Sequence, residues 1–138
     1  MEAQRRFITQ LRVRYAETDQ MRVVYHANYF VWMEIGRVEM LRSLGFNYKD
    51  LEETDGLVLA VIEANCKYLR AARYDEEITI ETAVVASTSR VVEFSYDIAS
   101  AASHKPVAKG STRHMWLNRQ WKPTHLPEKY LSIIKPRK

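Results

Sequence analysis

Between Tyr15 and Tyr29 the chain reads Tyr-Ala-Glu-Thr-Asp-Gln-Met-Arg-Val-Val-Tyr-His-Ala-Asn-Tyr, a density of polar, ionisable and aromatic residues that a plain connector rarely needs. Its carboxylates, Glu17 and Asp19, stand just ahead of an apolar segment that begins near Asn28 and has helical character. The first turn of a helix carries backbone N–H groups with no internal acceptor, and its dipole favours negative charge there. Those N–H groups can bind an oxyanion. A carboxylate beside such a site could serve as general base or nucleophile. Taken by itself, Asp19 equally suits a turn or a helix cap, positions that Thr-Asp pairs favour.

Other chemistries find little support. No two histidines stand four apart and no Cys-x-x-Cys occurs, so a zinc or iron site has no ligand pattern to rest on. Cys66 falls in a strand pattern with no partner base and reads as structural. There is no Gly-x-Ser-x-Gly elbow and no phosphate-binding glycine loop. His104, His114 and His125 lack the context that places His26 at a helix start. Three tryptophans and eight tyrosines could stack on bases, but most fall in strand or helix patterns and suit a core or an interface better.

The elements that position the loop follow from periodicity. Phe7, Thr9, Leu11, Val13 and Tyr15 alternate with polar residues and mark a half-buried strand. The segment Tyr29 to Leu44 predicts a helix of about four turns, closed by Gly45 in the left-handed position. Its first half is apolar on every side, which predicts an enclosed, central helix. A polar turn near Glu52 to Gly56 precedes four β-rich stretches, Leu57–Leu69, Ile78–Ala86, Val91–Ala101 and Val107–Leu117. Ser87-Thr88-Ser89 and Ser103-His104-Lys105-Pro106 are too short for helical crossovers, so the strands they join are antiparallel. A short helix over Pro127–Ile134 follows. A helix before a run of antiparallel strands makes an α+β domain with one curved sheet on the long helix.

Composition bounds the reading. The 138 residues fit one domain, residues 1–138, with 46% apolar and 28% charged residues. Twenty-one basic against 17 acidic residues leave +4, a mild preference for an anionic ligand that does not demand nucleic acid. The basic residues are scattered, and only Lys135-Pro136-Arg137-Lys138 resembles a basic tail. A single cysteine and no apolar signal run point to the cytoplasm, and no stretch approaches the roughly 20 apolar residues a membrane-spanning helix needs.

The pattern Tyr15-(x)3-Asp19-(x)6-His26-x-Asn28-Tyr29 resembles the opening motif of the 4-hydroxybenzoyl-CoA thioesterase-like hotdog family. Two further segments, Trp32-Met33-Glu34-Ile35-Gly36-Arg37-Val38-Glu39-Met40-Leu41-Arg42 and Lys67 to Glu76, resemble the subgroup that includes the Tol-Pal-associated acyl-CoA thioesterases. The resemblance implies a hotdog fold, a curved antiparallel sheet wrapped on a long central helix. It implies a homodimer or homotetramer with the site between subunits, and no metal or prosthetic group. The implied reaction is hydrolysis of an acyl-CoA, with Asp19 as nucleophile or general base. The His26 backbone N–H would polarise the carbonyl, a donor worth about 10²- to 10³-fold in rate. Tyr15 and the His26 imidazole would assist. Arg22, Tyr25 and Asn28 fall among positions that meet substrate, and Lys67, Arg70 and Arg90, with Arg73, among those that meet coenzyme A. Many members carry glycine where this chain has Arg22; if that residue has positive φ, arginine costs about 1 kcal/mol or more.

Three other functions compete. A hotdog dehydratase would show a different His and Glu pattern, which is not found. A non-catalytic acyl-CoA or acyl-carrier-protein binding module would keep the fold without needing Asp19, Tyr15 and His26. An acyl carrier protein in place of coenzyme A would need an acidic partner on a basic face. Acyl identity depends on how Met21, Tyr25, Tyr29 and Met33 pack, and stays open at this level.

Overall fold

A computed structural model describes residues 6–134; the basic Lys135–Lys138 segment lies outside the described residues. Five strands, β1 (Arg6–Arg12), β2 (Val58–Tyr68), β3 (Glu77–Ser87), β4 (Val91–Ser100) and β5 (Pro106–Leu117), form one antiparallel sheet in the order β1-β3-β4-β5-β2. The β3–β4 and β4–β5 pairs are the antiparallel neighbours that the short turns require. The far placements, β1 beside β3 and β2 on the outer flank of β5, carry no local signal. Helix α1 (Asn28–Ser43) lies over β3, β1 and β4, with α2 (Tyr48–Glu53) after it and α3 (Glu128–Leu131) at the far end.

Alternation along β4 sorts the two faces: Val92, Phe94, Tyr96, Ile98 and Ser100 are buried toward the helix, while their neighbours are half-buried on the outer face. Trp32, Met33, Met40 and Leu41 of α1 meet that core with at most 1% exposure. Gly45 has φ +98° and ends the helix as expected, with the Phe46 N–H donating to the Leu41 carbonyl at 2.9 Å.

Two glycines set how closely layers approach. A Cβ on Gly36 would lie 2.5 Å from Thr82 Oγ1 and 2.9 Å from Ile80 Cγ2, so α1 rests its backbone on β3. A Cβ on Gly110 would meet Met33 Cε at 2.2 Å, so that strand position is emptied for the methionine. In an exposed helix interior, glycine to alanine gains up to about 1 kcal/mol. Here the sign reverses: Gly36→Ala is expected to cost about 1–3 kcal/mol through overpacking, measured by urea unfolding.

Three expectations need correction. The helix is not enclosed by its own chain, because Val31 and Ile35 are 45% and 37% exposed on the side turned away from the sheet. The first strand stops at Arg12, and a 3-10 turn over Tyr15–Glu17 replaces the alternation, which leaves Tyr15 exposed rather than sharing the inner face of Val13. Helix α2 occupies the stretch leading into the expected polar turn; Asn47 caps it by accepting from the Lys49 N–H at 2.9 Å, and Leu51 anchors it in the core.

Strand β2 has one free edge and exposed apolar residues, Val61 at 55% and Ile62 at 46%, around an irregularity between Val61 and Glu63. The apolar excess seen in the sequence is therefore partly on this flank, beyond the reach of the helix.

Candidate active site

The loop from β1 to α1 is organised by Glu17, which sequence reasoning noted only as a carboxylate ahead of the helix. Its side chain is buried at 6% exposure and accepts from the Arg14 backbone N–H at 2.8 Å and from Trp32 Nε1 at 2.9 Å. Its carbonyl accepts from the Tyr25 N–H at 2.9 Å and from Asn28 Nδ2 at 2.8 Å. The Arg14 guanidinium, 3.6 Å away, balances the buried charge. The available signal was Trp32: a buried indole N–H needs an acceptor, and Glu17 is the carboxylate at the 3-10 turn beneath it.

Past Glu17 the chain makes a small hairpin, closed by the Thr18–Val24 bridge and by the Asp19 N–H donating to the Val23 carbonyl at 2.9 Å. Asp19 Oδ1 accepts from the Met21 N–H at 2.8 Å, the turn role that its residue type allows. Oδ2 has no donor among the described residues. Asp19 is half-buried and lines a cleft of about 320 Å³ with Tyr15, Thr18, Arg22 and Tyr74. Tyr15 and Tyr74 meet edge to face at 5.7 Å between ring centres.

Arg22 has φ +67°, the backbone for which glycine is the undemanding residue. Relief of about 1–2 kcal/mol of strain, offset by about 0.4–1 kcal/mol of unfolded-state entropy, makes Arg22→Gly up to about 1 kcal/mol more stable in urea titration. The side chain is exposed and has no ion-pair partner among the described residues.

The hairpin leads into α1, which begins without a side-chain cap. The Asn28 N–H donates to the Tyr25 carbonyl, but those of His26 and Ala27 have no acceptor among the described residues. Two unpaired N–H groups at the start of a 16-residue helix are donors of the kind that an anion could accept from. Tyr68 of β2 donates from its hydroxyl to the His26 carbonyl at 3.0 Å and so fixes that turn. The His26 ring is exposed, 4.5 Å from the Tyr25 ring. His26, Val24, Tyr29, Tyr68, Leu69, Arg70 and Ala71 line a second cleft of about 310 Å³. Thr18 belongs to the first cleft and its bridge partner Val24 to the second, so the two adjoin across one residue pair.

The fold thus brings Tyr15, Asp19 and Arg22 to one cleft, and His26 and Arg70 to its neighbour. The Asn28 amide is engaged on the Glu17 carbonyl and positions the loop. Arg70 is ion-paired to Glu76, and Arg73 donates its backbone N–H to the same carboxylate. Lys67 stands opposite Lys109 on the outer face of the sheet, and Lys109 is itself 3.9 Å from the Asp97 carboxylate. Arg90 is remote within one chain. It follows the end of β3, whereas the loop leaves β1 beside the start of β3, on the order of 30 Å away at about 3.3 Å per residue. Arg90 Nε donates to His125 Nε2 at 3.2 Å, which leaves the proton of that ring on Nδ1, pointed at Ser89 Oγ at 2.7 Å. His125 therefore cannot take the Ser89 proton, and this pair is not an activated nucleophile.

The fold agrees with the comparisons. A model of the thioesterase-like superfamily matches residues 13–134. The chain belongs to that superfamily. A Bacillus subtilis protein provisionally named an acyl-CoA thioesterase is 36% identical over 111 residues, spanning 80% of this chain and 79% of its own. The crystal structure of a Staphylococcus aureus DHNA-CoA thioesterase superposes with a TM-score of 0.85 at 31% identity, covering 92% of this chain and 84% of that one. An Aquifex aeolicus protein described as hypothetical gives 0.87 at 31% identity, over 94% and 99%. The superfamily's hotdog fold is the α+β arrangement expected from the sequence. Among the described residues no helix is long and apolar enough to cross a membrane, and no cluster of three or more His, Cys, Asp or Glu could hold a metal ion.

Proposed function

We propose that the protein hydrolyses acyl-CoA thioesters, as a member of the subgroup to which segments Trp32–Arg42 and Lys67–Glu76 are similar. The observation that carries this reading is the uncapped start of α1: two free N–H groups, at His26 and Ala27, adjoin a carboxylate with one unengaged oxygen. A thioester carbonyl oxygen accepting from those N–H groups would gain negative charge as the carbonyl carbon is attacked, and the helix start would stabilise it. In one route Asp19 takes a proton from water, the resulting hydroxide adds to the carbonyl carbon, and the tetrahedral intermediate expels coenzyme A as thiolate. In the other, Asp19 Oδ2 adds directly, the intermediate expels coenzyme A as thiolate to leave an anhydride, and water cleaves that anhydride to restore Asp19. In this reading Tyr15 and the His26 imidazole would orient substrate or supply the proton that the thiolate takes up.

The homo-oligomer reading follows from β2. Its free edge, with Val61 and Ile62 exposed, suits antiparallel pairing with a second copy. Such a pair lays the Tyr68 end of one sheet beside the Val58 end of the other. The β3–β4 turn lies at that Val58 end, so Arg90 of a second subunit would stand at the same end of the joined sheet as the Asp19 loop. This is how Arg90, with Lys67, would reach the phosphates of a coenzyme A bound at His26. The single, half-buried Cys66 is consistent with a reducing cytoplasm.

The test is free thiol release from a panel running from acetyl- to palmitoyl-CoA, with hydroxybenzoyl- and phenylacetyl-CoA. Turnover of at least one member is expected, and competition by acyl carrier protein would show which carrier docks. Binding of every member without thiol release would leave a non-catalytic acyl-binding module as the function. On the same plate Arg22→Gly is expected to raise KM while its stability rises; an unchanged KM would remove Arg22 from the substrate contacts.

A further inference from the structure

A cleft of about 560 Å³ lies away from the loop. It lies where the second half of α1 meets α2 and the start of β2, and its floor carries an unusual charge. Arg37 is half-buried, yet no carboxylate lies within ion-pairing distance of it among the described residues. Its Nη1 donates to the Tyr96 hydroxyl at 3.1 Å, the Tyr48 phenol lies against the same guanidinium, and its Nε is buried without a partner.

An arginine has only donors, so Tyr96 accepts from Arg37 and can give its own proton to the next hydroxyl. Tyr96 is hydrogen-bonded to Thr112 Oγ1 at 2.7 Å, and Thr112 Oγ1 to His114 Nε2 at 2.7 Å. The network ends on a buried imidazole whose Nδ1 has no partner. None of these groups carries negative charge, and burial drives the Tyr48 and Tyr96 phenols further from ionising. The positive charge of Arg37 thus has dipoles behind it and no counter-ion. A charge withdrawn from water in this way is costly unless an anion meets it.

The walls supply the rest of a ligand. Phe46, Val38 and Leu59 offer apolar surface beside the guanidinium. Of the other charged side chains that line the cleft, Arg42 is tied to Glu39, and Lys49 is accompanied by Glu34 and Glu52. A volume of this size suits a small molecule rather than a lone ion.

We propose that this cleft binds an organic carboxylate with an apolar body, its carboxylate on Arg37 and its body on Phe46, Val38 and Leu59. Arginine pairs with carboxylates through two parallel donors, and a neutral analogue cannot reproduce that. The site is separate from the hydrolytic loop and requires no turnover. Free acids, the class of product that thioester hydrolysis releases, would be natural occupants.

The experiment is calorimetric titration of the intact Asp19→Asn chain with sodium octanoate, with octanamide as the neutral isostere. One octanoate per chain is expected, with octanamide at least about 10-fold weaker. Val38→Phe, which narrows the mouth and leaves Arg37 and its network intact, should weaken octanoate about 10-fold. Arg37→Gln should abolish the preference for the carboxylate over the amide, provided its far-ultraviolet dichroism matches the parent. Amide NMR shifts on adding octanoate should centre on residues 34–59. Equal affinity for acid and amide, no effect of Val38→Phe, or shifts confined to the His26 and Tyr68 cleft would each overturn the proposal. Because thiol release is not read, failure here leaves the thioesterase reading standing.

Discussion

Asp19→Asn is expected to lower kcat for thiol release by about 100-fold or more, close to 2.7 kcal/mol of transition-state stabilisation, while the fold and unfolding midpoint stay near those of the wild type. The substitution separates the two roles that the sequence left entangled. Asp19 Oδ1 holds the Met21 N–H, and an asparagine carbonyl oxygen can do the same, so the turn should persist. What is lost is the charge and nucleophilicity at Oδ2, which has no structural partner among the described residues. A purely structural Asp19 predicts the reverse outcome, near-normal turnover in a chain as stable as the parent. If kcat is unchanged in a folded Asp19→Asn, the carboxylate is only a turn residue and the chemistry must be sought elsewhere.

Much of the site was legible because it depends on neighbours in sequence. The segment from Tyr15 to Tyr29 contains the hairpin, its turn residue and the helix start, and local rules govern all three. Even the strain at Arg22 could be anticipated, because a positive φ has a known cost for a residue with a Cβ. What stayed hidden depended on contacts across the chain. Glu17 gains its role from Trp32, fifteen residues on, and from Asn28, eleven residues on. Its burial follows from a 3-10 turn over Tyr15–Glu17, where periodicity shows only a strand ending and a polar loop beginning. Arg70 looks like a free cation in sequence, and only folding brings Glu76 onto it.

The fold divides along the same line. Strands β3 to β5 are joined by short turns, and their pairing follows from those turns. Strand β2 is separated from its partner β5 by two whole strands, so nothing nearby in sequence announces that it forms an edge. The exposure of Val31, Ile35 and Val61 is a fact about which layer covers which, and single-chain periodicity sees only that they are apolar.

The Arg37 network was invisible for the same reason, and His114 shows its energetic consequence. The ring is fully buried at the end of the network, and burial, reinforced by the Arg37 charge, pushes its pKa down to about 3. The unfolded chain takes up a proton on this residue below about pH 6.5, whereas the folded chain does so only near pH 3. In that window the unfolded state binds more protons, so stability falls as pH falls, by about 1.4 kcal/mol per unit. Between pH 6.5 and 5 the contribution of this one residue is about 2 kcal/mol, lost before most carboxylates protonate. Urea unfolding at pH 7, 6 and 5 should therefore show a steep decline for the wild type and a shallower one for His114→Gln, whose amide oxygen can still accept from Thr112. The comparison rests on slopes, so a uniform loss of stability in the variant does not disturb it. Parallel slopes would mean that the folded chain protonates His114 as readily as the unfolded one, and burial beside Arg37 could not then be holding the ring neutral.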